Sequence, residues 1–266
     1  MAETQRLIQM DKRLILIALM VFALWCPADA QFVWKWKPVP IDSTWDDIKD
    51  LRATQVISKY NAQVAPLQEI VGYSEDEYNK ERPESGLSNF AADVIKAIAE
   101  KKTGDKVDIA MTNFGGIRTS LPKGAVRVYD IFSIFPFDNY IVVFDIKGTD
   151  LRRFLDQMVS RRRVEALSNV EIEIEDRRAV ILNVAGAPLD DERVYRFATI
   201  NFLMDGGDGV VLSDVAFNRI DTGIWIRDAI VEYLKEQMDR GEKISLHRDG
   251  RVRYIDRKES KGEEGR

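Results

Sequence analysis

The stretch "FLMDGGDG", residues 202–209, places three glycines and two aspartates directly after a short apolar run. Glycine allows backbone conformations and close approaches that a side chain would block. A loop of this composition is typical either of a tight turn between strands or of a backbone that comes close to a ligand. The stretch alone leaves both interpretations open, and only the other motifs of the chain can separate them.

A second glycine-containing stretch, "TNFGGIRTSLPKG" (112–124), follows a short apolar segment that predicts a strand. Gly115 and Gly116 would let its backbone approach a ligand closely. Asn113 can both donate and accept hydrogen bonds, and the planar guanidinium of Arg118 suits phosphate or carboxylate. In isolation, such a pattern more often marks a strand-ending turn with a surface arginine.

A third stretch, "FPFDN" (135–139), places two phenylalanines on either side of a proline, immediately before a predicted strand over about 140–146. Both rings could belong to the core. If one of them is exposed, it would instead form a platform for a flat ligand.

These three stretches, in this order, resemble the C-terminal domain of the 5′-nucleotidase and UDP-sugar hydrolase family. That family has Asn-Gly-Gly-Gly-Ile-Arg, then Pro-Phe-x-Asn, then Phe-Leu-x-x-Gly-Gly-Asp-Gly, and this chain has "NFGGIR", "PFDN" and "FLMDGGDG". The resemblance extends from about Leu67 to Ile255. It implies an α/β fold, a layered α/β/β/α sandwich with mixed sheets, formed as a single domain by residues 66–256.

The resemblance also implies a site for a nucleoside or nucleotide. The base would be stacked between Phe137 and Phe202, and an aromatic platform contributes about 1–3 kcal/mol per base. Asp208 would accept hydrogen bonds from the ribose hydroxyls. The other pocket residues that the resemblance implies are Asn113 at the base, Gly115 and Gly116 in the wall, and Arg118 at the phosphate.

The chain departs from the family pattern at three places. Phe114 replaces a glycine, which would narrow the pocket or add an aromatic wall. In "NKERPESGLSNF" (79–90), where the family has further phosphate-binding arginines, Arg82 is the only arginine and the candidate for that role. The stretch "LSNV" (167–170) stands in place of a Ser-Gly turn in the pocket wall.

The sequence has one histidine, His247, and lacks Gly-x-Ser-x-Gly, His-Glu-x-x-His and Walker A patterns. A catalytic metal centre normally uses several His, Asp and Glu side chains. In the family, the metals belong to an N-terminal metallophosphatase domain, and only a short segment precedes the matched region here. We therefore expect no catalytic residue, metal or cofactor in this chain, which would act in nucleotide catabolism with a separate metallophosphatase chain that holds divalent metals. The alternative is a stand-alone periplasmic nucleotide-binding protein.

Length and composition agree with this interpretation. The 266 residues are 45% hydrophobic, enough for the core of one larger α/β domain. The net charge of −5 and the pI near 5.2 argue against a nucleic-acid-binding surface. Residues 31–65 are expected to form an extended segment followed by a helix, and the charged residues 257–266 a disordered tail.

The N-terminus predicts a signal peptide over residues 1–30, with Met10 as an alternative start. Basic Lys12 and Arg13 precede an apolar stretch over 14–25, and the small-x-small sequence "ADA" ends at Ala30. The mature protein would then be periplasmic or secreted, without a membrane span. It would also contain no cysteine, because Cys26 is the only one in the chain.

We expect cleavage immediately before Gln31, because "ADA" provides the small residues that signal peptidase requires. Intact-mass measurement of the exported protein would locate its first residue. A mature protein that retains a lipid-modified Cys26 would contradict this expectation.

Overall fold

The computed structural model describes residues 14–17, 20, 35–38 and 51–255. The chain divides into two units, residues 1–55 and 56–266, and all the strands described below lie in the second. Residues 14–17 are helical, but the expected cleavage site and the tail 257–266 lie outside the described residues. Within the described residues, no helix has the length and apolar character needed to span a lipid bilayer. The predicted domain boundaries therefore stay predictions.

The helices and strands are numbered in chain order. Helices α1 to α7 are Leu51–Ser58, Asn61–Val64, Gly86–Thr103, Val128–Ile134, Gly148–Ser160, Asn201–Met204 and Ile226–Asp239. Strands β1 to β11 are Ile70–Ser74, Ile109–Thr112, Gly124–Arg127, Tyr140–Lys147, Ala166–Ser168, Val170–Glu175, Arg178–Val184, Ala187–Pro188, Val194–Ile200, Phe217–Trp225 and Val252–Tyr254. Short 3-10 turns lie at Ala65–Gln68, Phe114–Gly116 and Gly207–Gly209.

The central sheet has five strands in the order β10-β4-β9-β2-β5. Strand β2 runs parallel to β9, with Ile109 opposite Phe197, and β4 runs antiparallel to β9, with Ile141 opposite Ile200. The carboxyl ends of β2 and β9 therefore lie at the same edge of the sheet as the amino end of β4. The three motifs follow β2, precede β4 and follow β9, so strand direction alone brings them to one edge.

Helices cover this sheet and bury a continuous apolar core. Strand β4 is buried at every position from 141 to 146, as expected of a strand that is covered on both faces. Phe144 of β4 stacks on Phe197 of β9 with ring centroids 5.1 Å apart. Phe154 of α5 meets Phe197 edge-on at 6.3 Å, which fixes α5 against the sheet.

Helix α3 forms as its sequence predicts for residues 86–104. Ser85 caps it through a reciprocal pair of hydrogen bonds with Ser88, and Gly104 ends it in a left-handed conformation with φ of 75°. The helix packs against β2 and β5. Its buried apolar stripe consists of Leu87, Ala91, Val94, Ile95 and Ile98.

Two further sheets complete the unit. Strands β1 and β3 form an antiparallel pair, and β6, β7 and β8 form an antiparallel meander to which β11 adds in parallel. The predicted α/β fold with mixed sheets is thus confirmed. The apolar periodicity of "GIWIRDAIVEYLKEQMDRG" predicts a helix over 223–241. The predicted start is wrong, because residues 217–225 form β10 and pair with β4, and α7 begins at Ile226.

A buried carboxylate ties the end of the chain to the start of α3. Glu84 Oε1 accepts hydrogen bonds from Asn89 Nδ2 (2.7 Å) and from the backbone amides of Asp249 (2.8 Å) and Gly250 (3.1 Å). Its Oε2 accepts from the amide of Val252 at 3.2 Å. Because Glu84 is only 4% exposed, its carboxylate depends on these donors for its hydrogen bonds.

We expect Glu84→Gln to lower the free energy of unfolding by about 1–3 kcal/mol, the usual effect of leaving a buried polar group unpaired. An amide can present only one acceptor oxygen, so its NH₂ group must face at least one of these donors. Urea unfolding measures the change, and Glu75→Gln, at an exposed glutamate, is the matched control. Equal stability of the two variants would show that Glu84 does not hold the C-terminal segment.

Candidate functional site

The three motifs surround a cavity of about 260 Å³ at the edge of the central sheet. The cavity is lined by Asn113, Gly115, Gly116, Arg118, Phe137, Asn139, Phe202 and Asp208. The structure therefore brings together seven of the residues that the resemblance singled out. The eighth, Asn139, is the last residue of "FPFDN". Arg82 is the one predicted site residue that does not line the cavity.

The two candidate stacking rings are partly exposed. Phe137 is 48% and Phe202 is 41% exposed, whereas Phe135, two residues before Phe137, is only 4% exposed and belongs to the core. The sequence left open whether both rings of "FPFDN" are core residues, and the structure separates them. A large ring left half in solvent at the wall of a cavity offers apolar area to a ligand.

Gly207 determines where the Phe202 ring can lie. A Cβ atom at position 207 would come within 2.5 Å of the ring carbon Cζ and of the Phe202 carbonyl oxygen, so only glycine fits there. The next residue, Asp208, has a φ of 55°, a left-handed conformation that few residues other than glycine adopt. The glycines of "FLMDGGDG" thus serve a close approach between ring and backbone as well as a turn.

Asn113 and Asp208 join two of the loops. Asn113 Nδ2 donates to Asp208 Oδ2 at 2.6 Å, a short charge-assisted hydrogen bond between residues 95 positions apart. No donor among the described residues is bonded to the second carboxylate oxygen, Oδ1. The buried amide oxygen of Asn113 also has no partner there, and such an orphan acceptor costs about 1–3 kcal/mol. The carboxylate can therefore accept a hydrogen bond from a bound ligand.

Three cations lie at the loop that follows β2. Arg118 donates to the carbonyl oxygen of Gly115 at 3.2 Å, and its guanidinium lies 5.8 Å from the Phe137 ring centroid. Lys80 Nζ donates to the carbonyl oxygens of Phe114 (3.1 Å) and Ile117. Burial, and then the positive charges of Arg118 and Arg82, lower the pKa of Lys80. Sequence reasoning missed Lys80, which lies in a polar loop without a recognisable pattern.

Arg82 lies beside the cavity and already has a carboxylate partner. Its guanidinium lies 4.4 Å from the Phe114 ring centroid and donates to both oxygens of Glu165, at 3.0 and 3.2 Å. Glu165 is buried and also accepts from the Phe114 amide at 2.7 Å. Phe114 is itself buried under Arg82 and does not line the cavity. A phosphate-binding role for Arg82 stays a prediction.

Helix α7 holds the "FPFDN" loop in place. Arg227 pairs with Asp138 at 2.6 Å, and its guanidinium lies 4.7 Å from the Phe132 ring centroid. The amide of Ile226 donates to the carbonyl oxygen of Asn139 at 2.9 Å. These contacts attach the loop that carries Phe137 to the start of α7.

Within residues 51–255 and the shorter described segments, no group of three or more His, Cys, Asp or Glu side chains is arranged to hold a metal ion. His247 is exposed. The cavity itself presents two apolar faces, one carboxylate, two amides and the positive charge of Arg118.

Comparisons with known proteins place this arrangement in a family. The profile of the family "5'-nucleotidase, C-terminal domain" matches residues 63–214. Protein UshA of Yersinia enterocolitica is 28% identical over 134 residues, which cover 48% of this chain and 24% of UshA. The trifunctional nucleotide phosphoesterase protein YfkN of Bacillus subtilis is 27% identical over 243 residues, which cover 82% of this chain and 16% of YfkN.

A solved structure of a 5'-nucleotidase precursor supports the same family assignment. The crystal structure of the 5'-nucleotidase precursor of Thermus thermophilus superposes with a TM-score of 0.66 and 29% identity, covering 78% of this chain and 44% of that one. This chain thus spans less than half the length of each of these relatives. Since the family profile matches more than half of its residues, the chain belongs to the 5′-nucleotidase C-terminal domain family.

Proposed function

We propose that this chain recognises a nucleoside or nucleotide, with the base between Phe137 and Phe202 and the ribose at Asp208. The observation that carries the proposal is a single cavity in which two half-exposed rings accompany a carboxylate with a free acceptor oxygen. Membership of the 5′-nucleotidase C-terminal domain family supports the same ligand class.

The ribose contact follows from the hydrogen bonding of Asp208. Its Oδ2 is held by Asn113, and this bond leaves Oδ1 to accept from a sugar hydroxyl. A carboxylate that accepts from vicinal hydroxyls is also how dinucleotide sites select ribose. Gly115 and Gly116 keep the wall beside this carboxylate free of side chains, and Asn113 lies close enough to contact the base.

A phosphate on the nucleoside would meet the positive charge of Arg118 and Lys80. Arg118 lines the cavity, and Lys80 donates to carbonyl oxygens of the same loop. Arg82 is a weaker candidate, because Glu165 already neutralises it.

We infer that hydrolysis requires a metallophosphatase carried by a separate chain. The cavity offers binding groups, and the described residues contain no cluster of His, Cys, Asp or Glu side chains arranged to hold a metal ion. The pattern of residues 1–30 adds export to the proposal, and the relative from Listeria monocytogenes is named a cell wall protein. The alternative, a nucleotide-binding protein that acts alone, uses the same cavity but needs no partner.

Calorimetry with adenosine tests the site. We expect Phe137→Ala and Phe202→Ala each to weaken binding about tenfold or more, because each removes a stacking face worth about 1–3 kcal/mol. Asp208→Asn keeps an acceptor for Asn113 and tolerates the left-handed backbone, but it presents NH₂ to the sugar. It should abolish any preference for adenosine over 2′-deoxyadenosine.

Two matched variants test whether losing any exposed ring, or any carboxylate near the loop, is enough to weaken adenosine binding. Tyr129→Ala removes an exposed ring that does not line the cavity, and Asp205→Asn removes the neighbouring carboxylate, which pairs with Arg219 at 2.8 Å. Both should bind adenosine as the wild type does. If the three cavity variants and the two control variants all bind adenosine as tightly as the wild type does, the cavity is not the nucleoside site.

We expect the purified chain to release no phosphate from adenosine 5′-monophosphate when Mg²⁺, Mn²⁺ or Zn²⁺ is added. The reason is that no group of three or more His, Cys, Asp or Glu side chains among the described residues is arranged to hold a metal ion. A complete 5′-nucleotidase in the same buffers serves as the positive control. Metal-dependent release by the chain alone would contradict the division of labour between two chains.

A further inference from the structure

A second cavity, of about 60 Å³, lies next to the first and shares Asp208 with it. Its polar lining consists of Gln157, Arg161, Arg163, Glu165 and Asp208. A volume of 60 Å³ is several times the ~10–15 Å³ of cavity space that one water requires. The cavity is therefore of a size for one small polar group, and two arginines line it.

The two arginines project from the turn that ends α5. Arg162 has a φ of 54°, and the Arg163 amide returns to the Met158 carbonyl oxygen at 2.9 Å, so the chain folds back sharply between Arg161 and Arg163. The negative end of the helix dipole favours positive charge at Arg161. Arg163 lies beyond the helix, and the dipole does not account for it.

Neither guanidinium has a carboxylate partner among residues 51–255. Of the two carboxylates of the cavity, Glu165 accepts from Arg82, whereas Asp208 accepts only from the neutral amide of Asn113 and keeps its charge. Two guanidinium groups therefore face one unneutralised carboxylate at this cavity, which leaves an excess of positive charge there, and guanidinium N–H groups are well suited to the oxygens of a phosphate monoester.

We propose that Arg161 and Arg163 bind a phosphate on the 2′ or 3′ oxygen of a ribose seated at Asp208. This inference rests on the proposed nucleoside site. A sugar that donates its vicinal hydroxyls to Asp208 directs those two oxygens toward the shared wall of the cavities. A phosphate on one of them extends past Asp208 to the arginines, while the other hydroxyl still donates to the carboxylate. The 5′ carbon lies on the opposite side of the sugar ring, so a 5′-phosphate cannot reach this cavity.

Isothermal titration of the full chain with four probes tests the proposal: adenosine, adenosine 2′-phosphate, adenosine 3′-phosphate and adenosine 5′-phosphate. The test variant is the double substitution Arg161→Gln and Arg163→Gln. The matched control is Arg177→Gln with Arg178→Gln, which removes the same charge from the end of the β6–β7 turn and the first residue of β7, outside both cavities.

We expect the wild type and the control to bind the 2′- or the 3′-phosphate at least about tenfold more tightly than adenosine, as one or two charge-assisted hydrogen bonds would give. The test variant should lose this gain and bind adenosine and the 5′-phosphate as before. If adenosine binds but neither ester binds more tightly, or if the test variant keeps the gain, this inference is wrong and the nucleoside site stands. If no protein binds adenosine, the nucleoside site and this inference both fail.

Discussion

The parallel pairing of β2 with β9, beside an antiparallel β4, is the constraint on which the cavity depends. Main-chain hydrogen bonds between these strands bring Asn113 and Asp208 within 2.6 Å of each other, although 95 positions separate them. A shift of one residue in either register would move every side chain of the shifted strand to the opposite face of the sheet and displace the loop that joins it. The loops inherit their positions from that register.

Charge is distributed so that the cavity keeps one carboxylate for a ligand. Glu165 is buried and neutralised by Arg82, whereas Asp208 is held only by a neutral amide. Lys80 and Arg118 donate to carbonyl oxygens of the loop after β2, so their charges support that loop and remain close to the cavity. The same cavity thus presents a carboxylate acceptor at Asp208 and a cation at Arg118.

The features that the sequence predicts are those with a local cause. Helix α3 has its capping box, its apolar stripe and its terminal glycine within one continuous stretch, and the structure matches them. The order of three motifs was enough to select seven of the residues that line the cavity. The predicted start of α7 was wrong because "GIW" continues β10. That strand is held by its pairing with β4, a long-range contact that local periodicity cannot reveal. Glu165 and Lys80 were missed for a similar reason, since their partners lie 51 and 34 positions away.

The hydrogen bonds of Glu84 also constrain the order in which this unit can assemble. The carboxylate oxygens of Glu84 accept hydrogen bonds from backbone amides as far along the chain as Val252, 168 positions later. A chain that emerges from the ribosome, or is threaded through a membrane pore, cannot complete the start of α3 until its last strand has arrived. Contacts of such long sequence separation slow folding, because loop closure precedes their formation. The start of α3 therefore lacks these hydrogen bonds until synthesis is nearly finished, so the helix acquires its final anchoring late.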